Sequence, residues 1–162
     1  MKIHGYGEDA LTFWALTERT GQVLSELKDP NPPSACTLLF RPSFGRSGGP
    51  RSSQFGEFDF ILASPTCLYL GESKWDQSPE VAESVIRLRP EQTERHAVFA
   101  EYYRIWTSTD HREWPVFLTT CAKRFAESGI NKPVPPADSL LGQNLCNTLE
   151  LVSATTGGAP LI

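Results

Sequence analysis

The order of apolar periods along this 162-residue chain predicts an α/β domain, a mixed central β-sheet flanked by helices. Three observations carry that expectation. Two β-like runs, residues 58–63 and 68–75, flank a Ser64-Pro65-Thr66 turn signal and read as a hairpin. Stretches with apolar residues at helical spacing precede and follow the hairpin. A further short apolar run, residues 114–120, reads as a fourth, buried strand.

Composition narrows the class. With 40 % apolar and 21 % charged residues the chain has the balance of a globular domain. No apolar run approaches the ~20 residues of a membrane span. The first residues, Met-Lys-Ile-His-Gly-Tyr-Gly-Glu-Asp, lack an apolar signal core, so secretion is not expected. Four cysteines at 36, 67, 121 and 146 show no CxxC spacing, which fits scattered thiols in a reducing, cytoplasmic setting rather than a zinc site or a disulfide frame. The net charge of −4 argues against a surface coated for nucleic acid, yet a local basic strip can still hold phosphates.

Taken in order, Gly7-Glu8-Asp9 opens a helix that runs to about residue 17 or 19 and closes at Thr20-Gly21. Glu8 shares a face with Leu11 and Ala15, which turns its carboxylate inward; the alternative is a first-turn acid that only complements the helix dipole, and Asp9 competes for any inward role. A short amphipathic piece (Val23, Leu24, Leu27) ends at the breaker Asp29-Pro-Asn-Pro-Pro. Residues 36–40 read as the first strand. The loop that follows, residues 41–51, holds Arg41, Arg46 and Arg51 among three glycines; arginine forks and exposed amides suit phosphate oxygens, against the plain reading of a solvated hairpin loop.

The hairpin carries the chemistry. Glu72 and Lys74, two apart on a strand, project to one face. If Pro65 and Thr66 form a two-residue loop, Ser64 pairs with Cys67 and Asp59 falls opposite Glu72, with Cβ atoms roughly 5 Å apart. Two carboxylates and an ammonium then share a patch suited to a divalent cation. Acids can also serve simply to blunt a sheet edge. Here Asp59 lies between Phe58 and Phe60 and Glu72 follows Leu68-Tyr69-Leu70, where an unpaired carboxylate is costly to desolvate.

Beyond the hairpin, Ser78-Pro79 marks a helix start with Val81, Val85 and Ile86 inward. Pro90 opens a longer helix over residues 91–106, on which Gln92, His96, Phe99, Tyr103 and Trp106 form one stripe, with Arg95 beside it. After the strand at 114–120, residues 121–128 form a short helix capped by Gly129. A proline-rich linker leads to a final amphipathic helix over about residues 139–153 (Leu141, Leu145, Leu149, Val152). The single domain so defined spans residues 1–153, and residues 154–162 read as a mobile tail.

The acid on one hairpin strand, Asp59, and Glu-x-Lys on the next, Glu72 and Lys74, resemble the core motif of the PD-(D/E)XK nuclease superfamily, the restriction-endonuclease-like fold. Phe58 stands where the proline of the family name would, a position that varies widely within it. The resemblance covers roughly residues 5–120. It implies a restriction-endonuclease-like sheet and a metal-dependent nuclease, DNA being favoured over RNA through the family alone. Asp59, Glu72 and the Ser73 backbone carbonyl would ligate Mg²⁺ or Mn²⁺, and Lys74 would act on water and phosphate. Glu8 would be the helical acid. Gln92, Arg95 and His96 would look toward the site from the following helix, where a core histidine is the plainer reading of His96. Rival readings are a catalytically silent nuclease-like module that binds nucleic acid or protein, and a structural domain with surface acids. A homodimer or a larger complex is compatible with this length; no membrane partner is expected.

Overall fold

The computed structural model describes residues 7–44, 56–74, 87–108, 113–129, 135–136 and 138–158. The expected helix around Val81, Val85 and Ile86, together with Arg46 and Arg51, lies outside the described residues. The element order is α1 (Gly7–Glu18), α2 (Thr20–Glu26), β1 (Thr37–Phe40), β2 (Phe60–Ala63), β3 (Leu68–Gly71), α3 (Pro90–Ser108), α4 (Trp114–Ser128) and α5 (Leu140–Thr156). A single 3₁₀ turn, Pro33–Ala35, leads into β1.

The three strands form an antiparallel sheet in the order β1-β2-β3. Leu39, Ile61 and Leu70 lie side by side across it, as do Leu38, Leu62 and Tyr69 on the neighbouring rung. The first set joins one face to the main core, where Ile61, Ala63 and Leu68 pack with Phe99, Tyr103 and Trp106 of α3, Phe117 and Cys121 of α4, and Leu145 and Leu149 of α5. The other face meets the N-terminal helices, with Phe13 of α1 edge-on to Phe40 at 5.2 Å. The protein is mixed α/β.

The β2–β3 turn is the two-residue one: Ser64 and Cys67 exchange both backbone hydrogen bonds (2.8 and 3.3 Å). Its register is pinned from outside. Asp29, at the exit of α2, accepts hydrogen bonds from the Ser64 hydroxyl (2.5 Å), the Tyr69 hydroxyl (2.9 Å) and the Asn31 backbone (2.9 Å). Burial pushes the Asp29 carboxyl up, and those donors more than offset it, leaving it below the usual carboxylate range. A one-residue slip would break this cluster and turn every hairpin side chain over.

Two expectations are corrected. Residues 114–120 are helical, the first half of α4. Pro115 sits in the first turn, where its missing N–H costs nothing. Phe117, Cys121 and Phe125 recur one turn apart as the buried stripe of one continuous helix, which ends on Gly129 at φ 68°. With that strand gone, the described sheet is wholly antiparallel rather than mixed. The last helix also runs past residue 153: Thr156 is buried and its hydroxyl meets that of Tyr103 at 2.6 Å, so residues 154–156 belong to the packed domain. No helix among the described residues is long and apolar enough to cross a membrane.

Candidate active site

β2 and β3 hold their last ladder rung at Phe60 and Gly71. The same register continued one step outward brings Asp59 opposite Glu72, just past the paired strands. Gly71 is required here for space: a methyl added to it would lie 2.5 Å or closer to three ring carbons of Phe60, which lies across the strand. The glycine lets that ring lie over β3 on the face opposite the side of Asp59 and Glu72.

Asp59 is half-buried and accepts a hydrogen bond from the Ser73 backbone N–H at 2.6 Å. Its carboxyl is pushed above the usual range, chiefly by burial. The Ser73 hydrogen bond opposes that shift, the negative charges of Glu72 and Glu8 add to it, and Lys74 opposes it. The same interactions locate the group: Glu8, Glu72 and Lys74 all lie within electrostatic reach of Asp59. Burial, more than any one neighbouring charge, disfavours its ionised form.

Glu72 is held differently. Its side chain is 5 % exposed and is gripped by α3. Gln92 donates to Oε2 at 2.9 Å, and Arg95 and His96 approach Oε1 at 3.2 and 3.4 Å. The Gln92 amide is fixed in orientation because its own oxygen accepts the Arg89 backbone N–H at 2.9 Å. Arg95 is clamped in turn: it donates to the Glu57 carbonyl and lies over the Phe58 ring at 5.6 Å. Gly56, at φ 90°, makes room for it, since a Cβ there would sit 2.7 Å from Arg95 Nη1. His96 packs against the same Phe58 ring in a tilted arrangement, centroids 5.2 Å apart. Gln92 and His96 of the α3 stripe, and Arg95 beside it, therefore address one carboxylate, and His96 is also the hydrogen-bonded, ring-packed histidine of the plainer reading.

The helical acids separate. Glu8 is half-buried on α1 and sits near Asp59, whereas Asp9 is exposed and ion-paired to Arg41. Glu8 points inward with Thr12 and Ala15; Leu11, expected on that face, is 51 % exposed. Arg41, which the sequence offered for phosphate, bridges Asp9 and Glu57, the latter at 2.8 Å. It adopts φ 49°, a left-handed kink between β1 and the Ser43–Glu57 bridge. Its guanidinium is committed to two carboxylates in this conformation, so a phosphate would have to share or displace them. Lys74 is half-buried and forms no ion pair with any other described residue.

Three contributors escaped the sequence reading: Thr12, the Ser73 hydroxyl and Glu57. Thr12 follows Glu8 by one helical turn, a signal that could have flagged it; nothing local marks Glu57.

The donors present are oxygens: two carboxylates and neighbouring main-chain carbonyls, the hard set that Mg²⁺ and Mn²⁺ accept. Both Glu72 oxygens are engaged, but two carboxylate oxygens offer about four acceptor positions and three donors use them. The half-exposed Asp59, with its excess of nearby negative charge, fits a cation best. No group of three or more His, Cys, Asp and Glu side chains placed to hold a metal occurs among the described residues. All four cysteines are free. Compared with known proteins, the chain matches no family model, no curated protein and no solved structure.

Proposed function

We propose that the protein is a metal-dependent nuclease of the PD-(D/E)XK type, with a restriction-endonuclease-like core built on the β1-β2-β3 sheet and acting on DNA in the cytoplasm. One observation carries the reading: the register that pairs Phe60 with Gly71, continued one rung, brings Asp59 opposite Glu72 at the open end of the hairpin, with Lys74 and Glu8 in electrostatic reach of Asp59.

In this reading Asp59, Glu72 and the Ser73 carbonyl would hold Mg²⁺ or Mn²⁺, which would supply charge neutralisation and acidify bound water. Lys74 orients the attacking water and stabilises charge that develops on the phosphate. Glu8 orders a water beside Asp59. Gln92, Arg95 and His96 fix the Glu72 carboxylate, so that it meets a cation without side-chain reorganisation. Arg41, Arg46 and Arg51 supply phosphate contacts, Arg41 by exchanging its carboxylate partners for the phosphate.

A second reading has one observation of its own. Glu72 is already satisfied by three α3 donors, as it would be in a silent nuclease-like module that only binds nucleic acid or protein. One panel separates the two: supercoiled plasmid, linear duplex, single-stranded DNA and RNA, each with Mg²⁺, Mn²⁺ or EDTA, scored for cleavage and for gel retardation. Cation-dependent cleavage that Lys74→Ala abolishes is the expected result. Retardation without cleavage under every condition supports the silent module and overturns the enzyme.

A further inference from the structure

α1 is thinly attached. Leu16 is its one buried residue, while Leu11, Phe13 and Trp14 are about half exposed. Among its ties toward the sheet are the Phe13–Phe40 edge contact, the exposed Asp9–Arg41 ion pair and a polar contact. Exposed ion pairs contribute little. The polar contact is made by Thr12: its Oγ1 lies 2.8 Å from the Glu8 carbonyl oxygen and 2.8 Å from Ser73 Oγ. A hydroxyl has a single proton. Thr12 is the donor in both contacts, so its one proton is shared between the Glu8 carbonyl and Ser73 Oγ. Ser73 in turn directs its backbone N–H to Asp59. A continuous chain thus runs from the turn of α1 that bears Glu8, through two hydroxyls, to the Asp59 carboxylate and the strand that carries Glu72 and Lys74.

We propose that the Thr12 and Ser73 hydroxyls form a latch that docks α1 on the end of β3 and so positions Glu8 and the Ser73 main chain relative to Asp59. Thr12 is a positioning residue; it touches none of the groups assigned to water or phosphate. The consequence for catalysis rests on the nuclease reading, whereas the latch itself is a property of the fold and can be tested without metal or substrate.

The variants are Thr12→Val, which keeps the shape and removes the hydroxyl, Thr12→Ser, which keeps the hydroxyl, Ser73→Ala, which keeps the main-chain groups, and the Thr12→Val/Ser73→Ala double variant. In the cation-free protein, amide hydrogen exchange over α1 should quicken by about 5-fold in Thr12→Val, should stay wild-type in Thr12→Ser, and should be no faster in the double variant than in either single one. With Mg²⁺, Thr12→Val should lower kcat or Mg²⁺ affinity by about 10-fold, with KM for DNA unchanged, and Thr12→Ser should restore it. Unaltered exchange in Thr12→Val, or effects that multiply in the double variant, would overturn the latch. Wild-type protein that neither binds Mg²⁺ nor cleaves would overturn the nuclease reading, and the exchange result would still decide the latch.

Discussion

Replacing Arg95 by Met tests whether α3 holds Glu72 in place. Arg95 makes three separable contacts: an ion pair with Glu72 at 3.2 Å, a hydrogen bond to the Glu57 carbonyl, and a cation–π contact with Phe58 at 5.6 Å. A hydrogen bond to a charged group in such a setting contributes about 1.5–3 kcal/mol, and a neutral acceptor about 1 kcal/mol. The ring contact adds about 0.5–1 kcal/mol. Full loss would reach ~3–5 kcal/mol, comparable to breaking a buried pair. Two effects reduce it. Gln92 and His96 still face the Glu72 carboxylate, and the Met side chain refills much of the apolar stem. The expected destabilisation is therefore about 2–3 kcal/mol. For a chain of this size that lowers the melting temperature by roughly 4–12 °C. Glu72→Gln removes the other charge, so the double variant should be less destabilised than the two singles added together, by at least ~1 kcal/mol. Denaturant titration and thermal melts of the four proteins measure this directly. A cost for Arg95→Met within ~0.5 kcal/mol of zero, or strict additivity, would show that the pair does not hold Glu72.

Two further predictions concern the hairpin end. Gly71→Ala drives a methyl into the Phe60 ring, so the ring must swing away; a loss of about 1–3 kcal/mol is expected in melts, and a wild-type melting curve would contradict the packing described. Asp59→Asn keeps an acceptor for Ser73 and removes the charge that burial disfavours. Because the folded carboxyl titrates above its unfolded value, the native state of the wild type loses stability as pH rises from the ordinary carboxylate range through the folded pKa, and the loss persists at neutral pH. The cation-free Asp59→Asn protein should therefore melt above wild type at pH 7, with the difference vanishing below the ordinary carboxylate range. A variant that melts lower at pH 7 would refute that balance.

What the residues revealed and what they hid have physical causes. The hairpin register was legible because a two-residue loop fixes parity, and the Ser64–Cys67 pair then aligns every rung out to Phe60 and Gly71. The long helix after Pro90 was legible from its stripe, and that stripe also foretold that Gln92, Arg95 and His96 lie together. Residues 114–120 were misread because an apolar run of seven has no period of its own to separate a buried strand from a buried helix turn. The deciding signal lay further on, where Phe117, Cys121 and Phe125 keep helical spacing across both supposed elements. Leu11 was placed inward because apolar residues usually are; α1 instead turns Thr12 inward, toward a hydroxyl far away in sequence. Tertiary partners of that kind, Thr12 with Ser73 and Arg41 with Glu57, leave no trace in local periodicity. Arg41 was read for its charge alone, and the carboxylates that engage it come from α1 and the Ser43–Glu57 bridge.

The measurement closest to the central claim is calorimetric titration of Mg²⁺ into wild type, Asp59→Ala, Glu72→Ala and Lys74→Ala. One site per chain is expected in the wild type. Asp59→Ala and Glu72→Ala should each lose it, since each removes a carboxylate ligand. Lys74→Ala should retain it or bind slightly tighter, because a neighbouring positive charge is gone. Equal Mg²⁺ affinity in wild type and Asp59→Ala, or no binding by the wild type at millimolar Mg²⁺, would contradict a metal site at the hairpin end.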